Sequence, residues 1–188
     1  MSNKLLKKIG QEYSKYTKSI NEVIVKSRDI LKYSKTVIFA IHRGELNVAQ
    51  VAIKEAEKVI KSLSSAMSTN NGLDDEGAYK AALEEYAEAK LFLNYYIKGD
   101  ISEIKEVKLD HDIYLGAISD LTGEIVRVCI ALAVKRDLEA VVKHKKFCED
   151  IVSSLAGFDL TSSLRSKYDA AKRNLYKIEE VIYDLSLS

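Results

Sequence analysis

The 188-residue sequence contains no proline, although average usage of about 5% predicts roughly nine. Proline breaks helix interiors and central strands because its ring fixes φ and removes a backbone hydrogen-bond donor. A chain without proline and with only eight glycines can form long, uninterrupted helices. The sequence therefore predicts an all-α protein.

Apolar residues recur at helical spacing in six segments, which are separated by a polar loop at 68–77, an irregular link at 100–112, and glycines. A chain of this length can bury most of its apolar surface in one core. We therefore predict a single-domain bundle of about six to seven helices over residues 1–188. The predicted helices are 4–43, 46–67, 78–97, 113–134, 136–155 and 161–185.

The segment 113–134 is the most apolar of these helices and is expected to be buried nearly all round. Three charged residues nevertheless lie on one line of this helix, namely Asp120, Glu124 and Arg127. Charged groups are almost never buried without a partner or a metal. Two interpretations stay open: the acids form salt bridges, or they hold a cation. Gly116 and Gly123 in the same helix would let another backbone or a ligand come close.

A second acidic pattern lies on the helix 78–97, where Glu85 and Glu88 are three residues apart and project from one side. Both lie at the border of the apolar face, whereas Glu84 is expected to point to the polar side. The plainer interpretation is that such border acids are solvated or paired with a lysine.

The first helix is strongly basic, since residues 1–43 carry ten Lys/Arg and three Asp/Glu although the whole chain has a net charge of +1. Five basic side chains fall within about 100° of the helix surface and surround Phe39. We call them the basic sector; they are Arg28, Lys32, Lys35, His42 and Arg43. Cations around an exposed aromatic ring suit a phosphate backbone with stacked bases. The alternatives are a solvated face or a helix–helix contact.

Several kinds of chemistry have no support in the sequence. It contains no glycine-rich phosphate loop, no CxxC motif and no zinc-type spacing of its three histidines. Cys129 and Cys148 form no disulfide framework, which predicts a reduced, cytoplasmic protein. No signal peptide is expected, because the N-terminal sequence has no apolar h-region. No membrane span is expected either, because the central helix carries three charges.

Three parts of the sequence resemble the translin/Trax family, and Trax-like (translin-associated factor X) proteins most. Together they cover about a third of the chain, in the family's order. They are SRDILKYSKTVIFAIHRGE at 27–45, the pair LEEYAEA at 83–89 and SDLTGEIVRVCI at 119–130, and LRSKYDAAKRNLYKIEEVIYDLS at 164–186.

The resemblance implies a translin-like fold and a metal-dependent endoribonuclease that acts on single-stranded RNA. By motif position it assigns both catalysis and metal binding to four acids, which we call the acidic cluster: Glu85, Glu88, Asp120 and Glu124. Oxygen-only ligands favour Mg²⁺ or Mn²⁺ as the cofactor. A metal-activated water could then attack a phosphodiester, while the basic sector binds RNA.

The resemblance also implies an oligomer, either an octamer of this chain or a hetero-oligomer with a translin-like subunit. Two other functions stay open at this point. One is a translin-like protein that binds single-stranded RNA or DNA without turnover, with its acids in salt bridges to Arg127 or lysines. The other is a helical scaffold or partner subunit.

Overall fold

The computed structural model describes residues 2–67, 73 and 76–187, and these contain six helices and no strand. The all-α prediction is confirmed. The predicted turn at Asn71-Gly72 and the predicted caps Asp74 and Asp75 lie outside the described residues. The helices are α1 (Ser2–His42), α2 (Leu46–Met67), α3 (Gly77–Lys98), α4 (His111–Val134), α5 (Leu138–Ala156) and α6 (Ser162–Ser186).

Local chemistry explains where several of these helices begin and end. Gly44 and Gly99 follow α1 and α3 with φ of +74°, a left-handed conformation that glycine adopts without a steric penalty. At the start of α4, the carboxylate of Asp110 accepts a hydrogen bond of 2.8 Å from the backbone N–H of Ile113. This bond satisfies one of the unpaired donors of the first turn.

The helices pack as two groups of three that meet along α3 and α4. One group is α1 with α2 and α3, and the other is α4 with α5 and α6. Tyr86 and Phe92 of α3 and Leu121 and Ile125 of α4 are fully buried in the core. The two acidic motifs are therefore placed on the two helices that join the groups.

The central helix α4 is less buried than its composition predicts. Its middle is in the core, but Ile130 is 50% exposed and Val134 is 83% exposed. The expectation that this helix is covered nearly all round is therefore wrong for its last two turns. In the ranges that the structure describes, no helix has the length and apolar character needed to cross a membrane.

Candidate metal centre at the junction of α3 and α4

The four residues of the acidic cluster lie at the junction of α3 and α4. Glu85 and Glu88 project from α3, and both interact electrostatically with Asp120 and Glu124 of α4. All four side chains are partly buried. The structure thus brings the two sequence motifs together, because α3 and α4 present their charged borders to one another.

The two α3 acids have raised pKa values because they are partly buried next to other carboxylates. Burial raises the pKa of Glu88 from its usual 4.5 to about 8, and repulsion from Asp120, Glu124 and Glu85 adds to this effect. The pKa of Glu85 is also raised, mainly by burial, although the nearby charge of Lys35 opposes the shift. Neither Glu85 nor Glu88 has an ion pair or a side-chain hydrogen bond to any residue that the structure describes.

The two α4 acids, in contrast, are each bound to cationic side chains. The ammonium group of Lys167 on α6 donates a hydrogen bond to Asp120, and it also lies 2.8 Å from Glu84 Oε1. Glu84 is therefore turned towards α6 rather than towards solvent. The expectation that Glu84 points to the polar side of α3 is wrong, because its carboxylate lies against Gly116 of α4 and binds Lys167 of α6.

Glu124 is held by two groups from different helices. His42 Nε2, at the end of α1, donates a hydrogen bond to Glu124 Oε2, and Arg127 Nη1 lies 3.0 Å from the same oxygen. Burial alone would raise the pKa of Glu124, but the hydrogen bond from His42 and the charge of Arg127 outweigh it, so the pKa is lowered. Glu124 is thus ionised and fixed in orientation.

The basic sector does not form one continuous surface. Arg28, Lys32 and Lys35 are exposed, as an RNA-binding face requires. Arg43 is exposed but paired with Glu45 at 2.8 Å. His42 is turned inward, with only 15% of its side chain exposed, so its predicted place on the open basic face is wrong. Its position four residues after the buried Ile38 could have indicated this.

The two glycines of α4 accommodate side chains. A Cβ atom at Gly116 would lie 2.3 Å from Glu84 Oε2, whereas at Gly123 the nearest atom would be Asn174 Nδ2 at 3.5 Å. Of these two glycines, Gly116 is the one whose missing Cβ makes room for the carboxylate that binds Lys167. The expectation that a backbone or a ligand fills this space is wrong for Gly116.

The donor chemistry of the acidic cluster fits a hard cation, since every candidate ligand atom is a carboxylate oxygen. As the side chains lie, no three acidic, histidine or cysteine groups in the described ranges are arranged as a metal site. Asp120 and Glu124 are directed to their cationic partners instead. The fit therefore rests on Glu85 and Glu88, two partly buried acids that lack a bound counter-charge.

Lys167 is a residue of the candidate site that the sequence did not indicate. It lies in the family-like segment 164–186, but nothing local distinguishes it from the other lysines of α6. Its pKa is raised because hydrogen bonds to Asp120 and Glu84 outweigh the opposing effect of burial. Only the packing of α6 against α4, which brings the Lys167 side chain within reach of Glu84 on α3, makes it part of the site.

Comparison with known proteins relates most of this chain to one family. The sequence pattern of the Translin family matches residues 18–188. A translin-associated protein X homolog of Schizosaccharomyces pombe is 22% identical in an alignment 181 residues long, which covers 86% of this chain and 78% of that protein. Translin of Gallus gallus is 32% identical over 80 residues, which is 42% of this chain but only 35% of that protein.

Solved structures show the same fold over nearly the whole chain. The crystal structure of apo-NeC3PO superposes with a TM-score of 0.87 at 25% identity and covers 96% of both chains. A complex of AfC3PO with duplex RNA has a TM-score of 0.84 at 18% identity and covers 97% of this chain and 96% of that one. The arrangement of the six helices around α3 and α4 is thus shared with these proteins.

Proposed function

The chain belongs to the Translin family, and from this premise we propose that it is a Mg²⁺- or Mn²⁺-dependent endoribonuclease of single-stranded RNA. One observation carries the proposal. Acids from two helices meet in a partly buried junction where two of them, Glu85 and Glu88, lack a bound cation. Carboxylates at such positions repel one another and bind protons in the absence of a metal.

Each residue of the acidic cluster has a part in this proposal. Glu85, Glu88 and Asp120 would hold the metal, with Glu124 as a further ligand or as an acid that supports the others. Once bound, the metal would supply an acidified water as nucleophile and would stabilise charge on the phosphate. His42 and Arg127 keep Glu124 ionised and oriented, which is the support that metal ligands commonly need.

The cationic residues would bind and position the RNA. Arg28, Lys32 and Lys35 form the exposed part of the basic sector, and Lys35 is close enough to Glu85 to act on its pKa. The RNA backbone on this face would therefore run towards the acidic cluster. The Arg127 guanidinium lies 5.8 Å from the centre of the Phe39 ring, so this ring and cation together offer a surface for a base.

The relatives support RNA as the ligand class. The AfC3PO structure contains duplex RNA. The structure of apo-NeC3PO, which is 25% identical to this chain, covers 96% of it. We propose RNA binding for this chain on that basis. The oligomer, an octamer or a hetero-oligomer with a translin-like subunit, belongs to the same proposal.

The direct test is cleavage of labelled single-stranded RNA with Mg²⁺ or Mn²⁺, compared with EDTA. Glu88→Gln and Asp120→Asn should each abolish metal-dependent cleavage, whereas Glu180→Gln, at an exposed acid of α6, should not. If the wild type and both cluster variants cleave equally, the acids do not carry the activity. Absence of cleavage by the wild type with either metal would contradict the nuclease assignment.

A second function is favoured by a separate observation. The salt bridges of Asp120 with Lys167 and of Glu124 with Arg127 are what a non-catalytic single-strand-binding protein would contain. Such a protein would bind RNA or DNA tightly and with strong salt dependence, and neither metal nor EDTA would change its binding. A scaffold without either role would show no change in stability with RNA or with metal.

A further inference from the structure

A cleft of about 780 Å³ opens beside the acidic cluster, between the last turns of α1, α3 and α4 and the first half of α5. We call it the end cleft. His42 lines it and also binds Glu124, so the cleft and the acidic cluster share one side chain. Its size lies in the range of roughly 300 to 1,000 Å³ that is typical of ligand pockets.

The end cleft is strongly basic. Lys98, Lys135 and Lys143 line it, and none of them has an ion pair with a residue that the structure describes. Arg43 also lines the cleft but is neutralised by Glu45. No acidic residue occurs among the described residues of its wall.

Helix ends offset only part of this positive charge. The carboxyl ends of α1, α3 and α4 meet at the cleft, and each contributes roughly half a negative elementary charge. Three such ends oppose about 1.5 of the three lysine charges. The remaining charge is positive, so the cleft favours an anion.

Aromatic and hydrogen-bonding groups line the same cleft. Tyr96 lines the cleft and is 48% exposed, so a flat ring can reach it. Tyr95 and His144 are joined by a hydrogen bond of 2.6 Å at Nδ1. Burial lowers the pKa of His144 and raises that of Tyr95, so the neutral imidazole accepts from the tyrosine hydroxyl and keeps its proton at Nε2.

We propose that the end cleft binds a nucleotide of the single-stranded RNA next to the bond that is cleaved. Lys98, Lys135 and Lys143 would contact its phosphates and Tyr96 would stack on its base. Both types of contact are needed to recognise a nucleotide, and stacking requires a base that is not paired in a duplex. The position of this nucleotide beside the cleaved bond rests on the proposed function, whereas its binding in the end cleft does not.

The test measures binding without chemistry, using a fluorescent, cleavage-resistant 2′-O-methyl oligouridine in EDTA. Replacing the three cleft lysines with glutamine should weaken binding and should reduce the slope of log Kd against log salt by about 2, at about 0.7 per phosphate contact. Tyr96→Ala should weaken binding about 5- to 150-fold. A matched triple replacement of the exposed Lys54, Lys61 and Lys177 should change neither quantity by as much.

The outcomes separate this proposal from the nuclease assignment. If the cleft variants bind like the wild type, with unchanged thermal melts, the cleft proposal is wrong even when RNA is cleaved. If the wild type cleaves no RNA but the cleft variants lose affinity, nucleotide binding stands and the nuclease assignment fails. Glu180→Gln should retain the affinity that the cleft provides, since this exposed acid of α6 does not line the cleft.

Discussion

The ammonium group of Lys167 on α6 binds the carboxylate of Asp120, which lies 47 positions earlier on α4. The same ammonium lies 2.8 Å from Glu84 on α3. One cation thus connects three helices, two of which carry the acidic cluster. The charge of Lys167 reduces the repulsion that the junction of α3 and α4 would otherwise contain.

Removal of this cation should destabilise the fold. Lys167→Met leaves Asp120 and Glu84 facing one another without a partner, which should cost about 1 to 3 kcal/mol of unfolding free energy at neutral pH. The cost should shrink in the Asp120→Asn background, and a double-mutant cycle from denaturant unfolding measures the coupling. The pKa of Lys167 is raised in the fold, so its stabilisation is fully present below its unfolded pKa and is lost only as pH rises through the higher folded value. A coupling energy of zero would show that the contact does not contribute.

Glu88 should make stability depend on pH in the unusual direction for an acid. Its pKa is about 8 in the fold, so between pH 4.5 and 8 the native state holds a proton that the unfolded state has released. Unfolding free energy should therefore fall as pH rises through this interval, by on the order of a few kcal/mol. Glu88→Gln should be more stable than the wild type at pH 8, and the difference should vanish near pH 5. Denaturant titrations at both pH values check this, and an equal difference at both would contradict it.

A metal ion should stabilise the protein through the two α3 acids. A ligand at about 100 times its Kd adds about 2.7 kcal/mol to the native state, or roughly 5 to 10 °C in the melting midpoint of a chain this long. Mn²⁺ should produce such a shift in the wild type and in Glu180→Gln but not in the Glu85→Gln, Glu88→Gln double variant. Each variant is compared with its own metal-free melt, because the substitutions also change the baseline. A shift of equal size in the double variant would place the metal elsewhere.

Gly116 and Gly123 should respond differently to alanine. Alanine gains up to about 1 kcal/mol over glycine within a helix, and Gly123→Ala should show most of this gain because its new Cβ makes an ordinary contact at 3.5 Å. At Gly116 the new Cβ would displace the Glu84 carboxylate from its place beside Lys167, so the gain should be reduced or lost. In the Glu84→Ala background, Gly116→Ala should recover it. Thermal melts of these variants measure the gains in stability. Equal gains from Gly116→Ala and Gly123→Ala in the wild-type background would show that Glu84 moves without a loss of stability.

Sequence periodicity located the helices well. The absence of proline and the positions of Gly44 and Gly99 were sufficient to place the ends of α1 and α3 within a few residues. These features act through the local backbone, which the sequence specifies directly. Helix α5 begins two residues later than predicted, because Asp137 caps it by accepting a hydrogen bond from the N–H of Ala140.

The candidate site was less predictable, because it depends on how distant helices pack. The contact of Arg127 with Glu124 was predictable, since three residues on one helix are neighbours. The inward turn of His42 and the approach of Lys167 to Asp120 are contacts between residues 82 and 47 positions apart. Without a rule for helix packing, Lys167 has the appearance of a solvent-facing lysine and Glu84 that of a solvent-facing acid.

The contacts of Lys167 with Asp120 and Glu84 can form only late in the synthesis of the chain. Ribosomes synthesise a chain from its amino end, so the carboxylates of α3 and α4 are made before Lys167 has been translated. On the nascent chain, Asp120 and Glu84 have no ammonium group between them. The junction of α3 and α4 therefore acquires its counter-charge only after α6 has been synthesised and has docked.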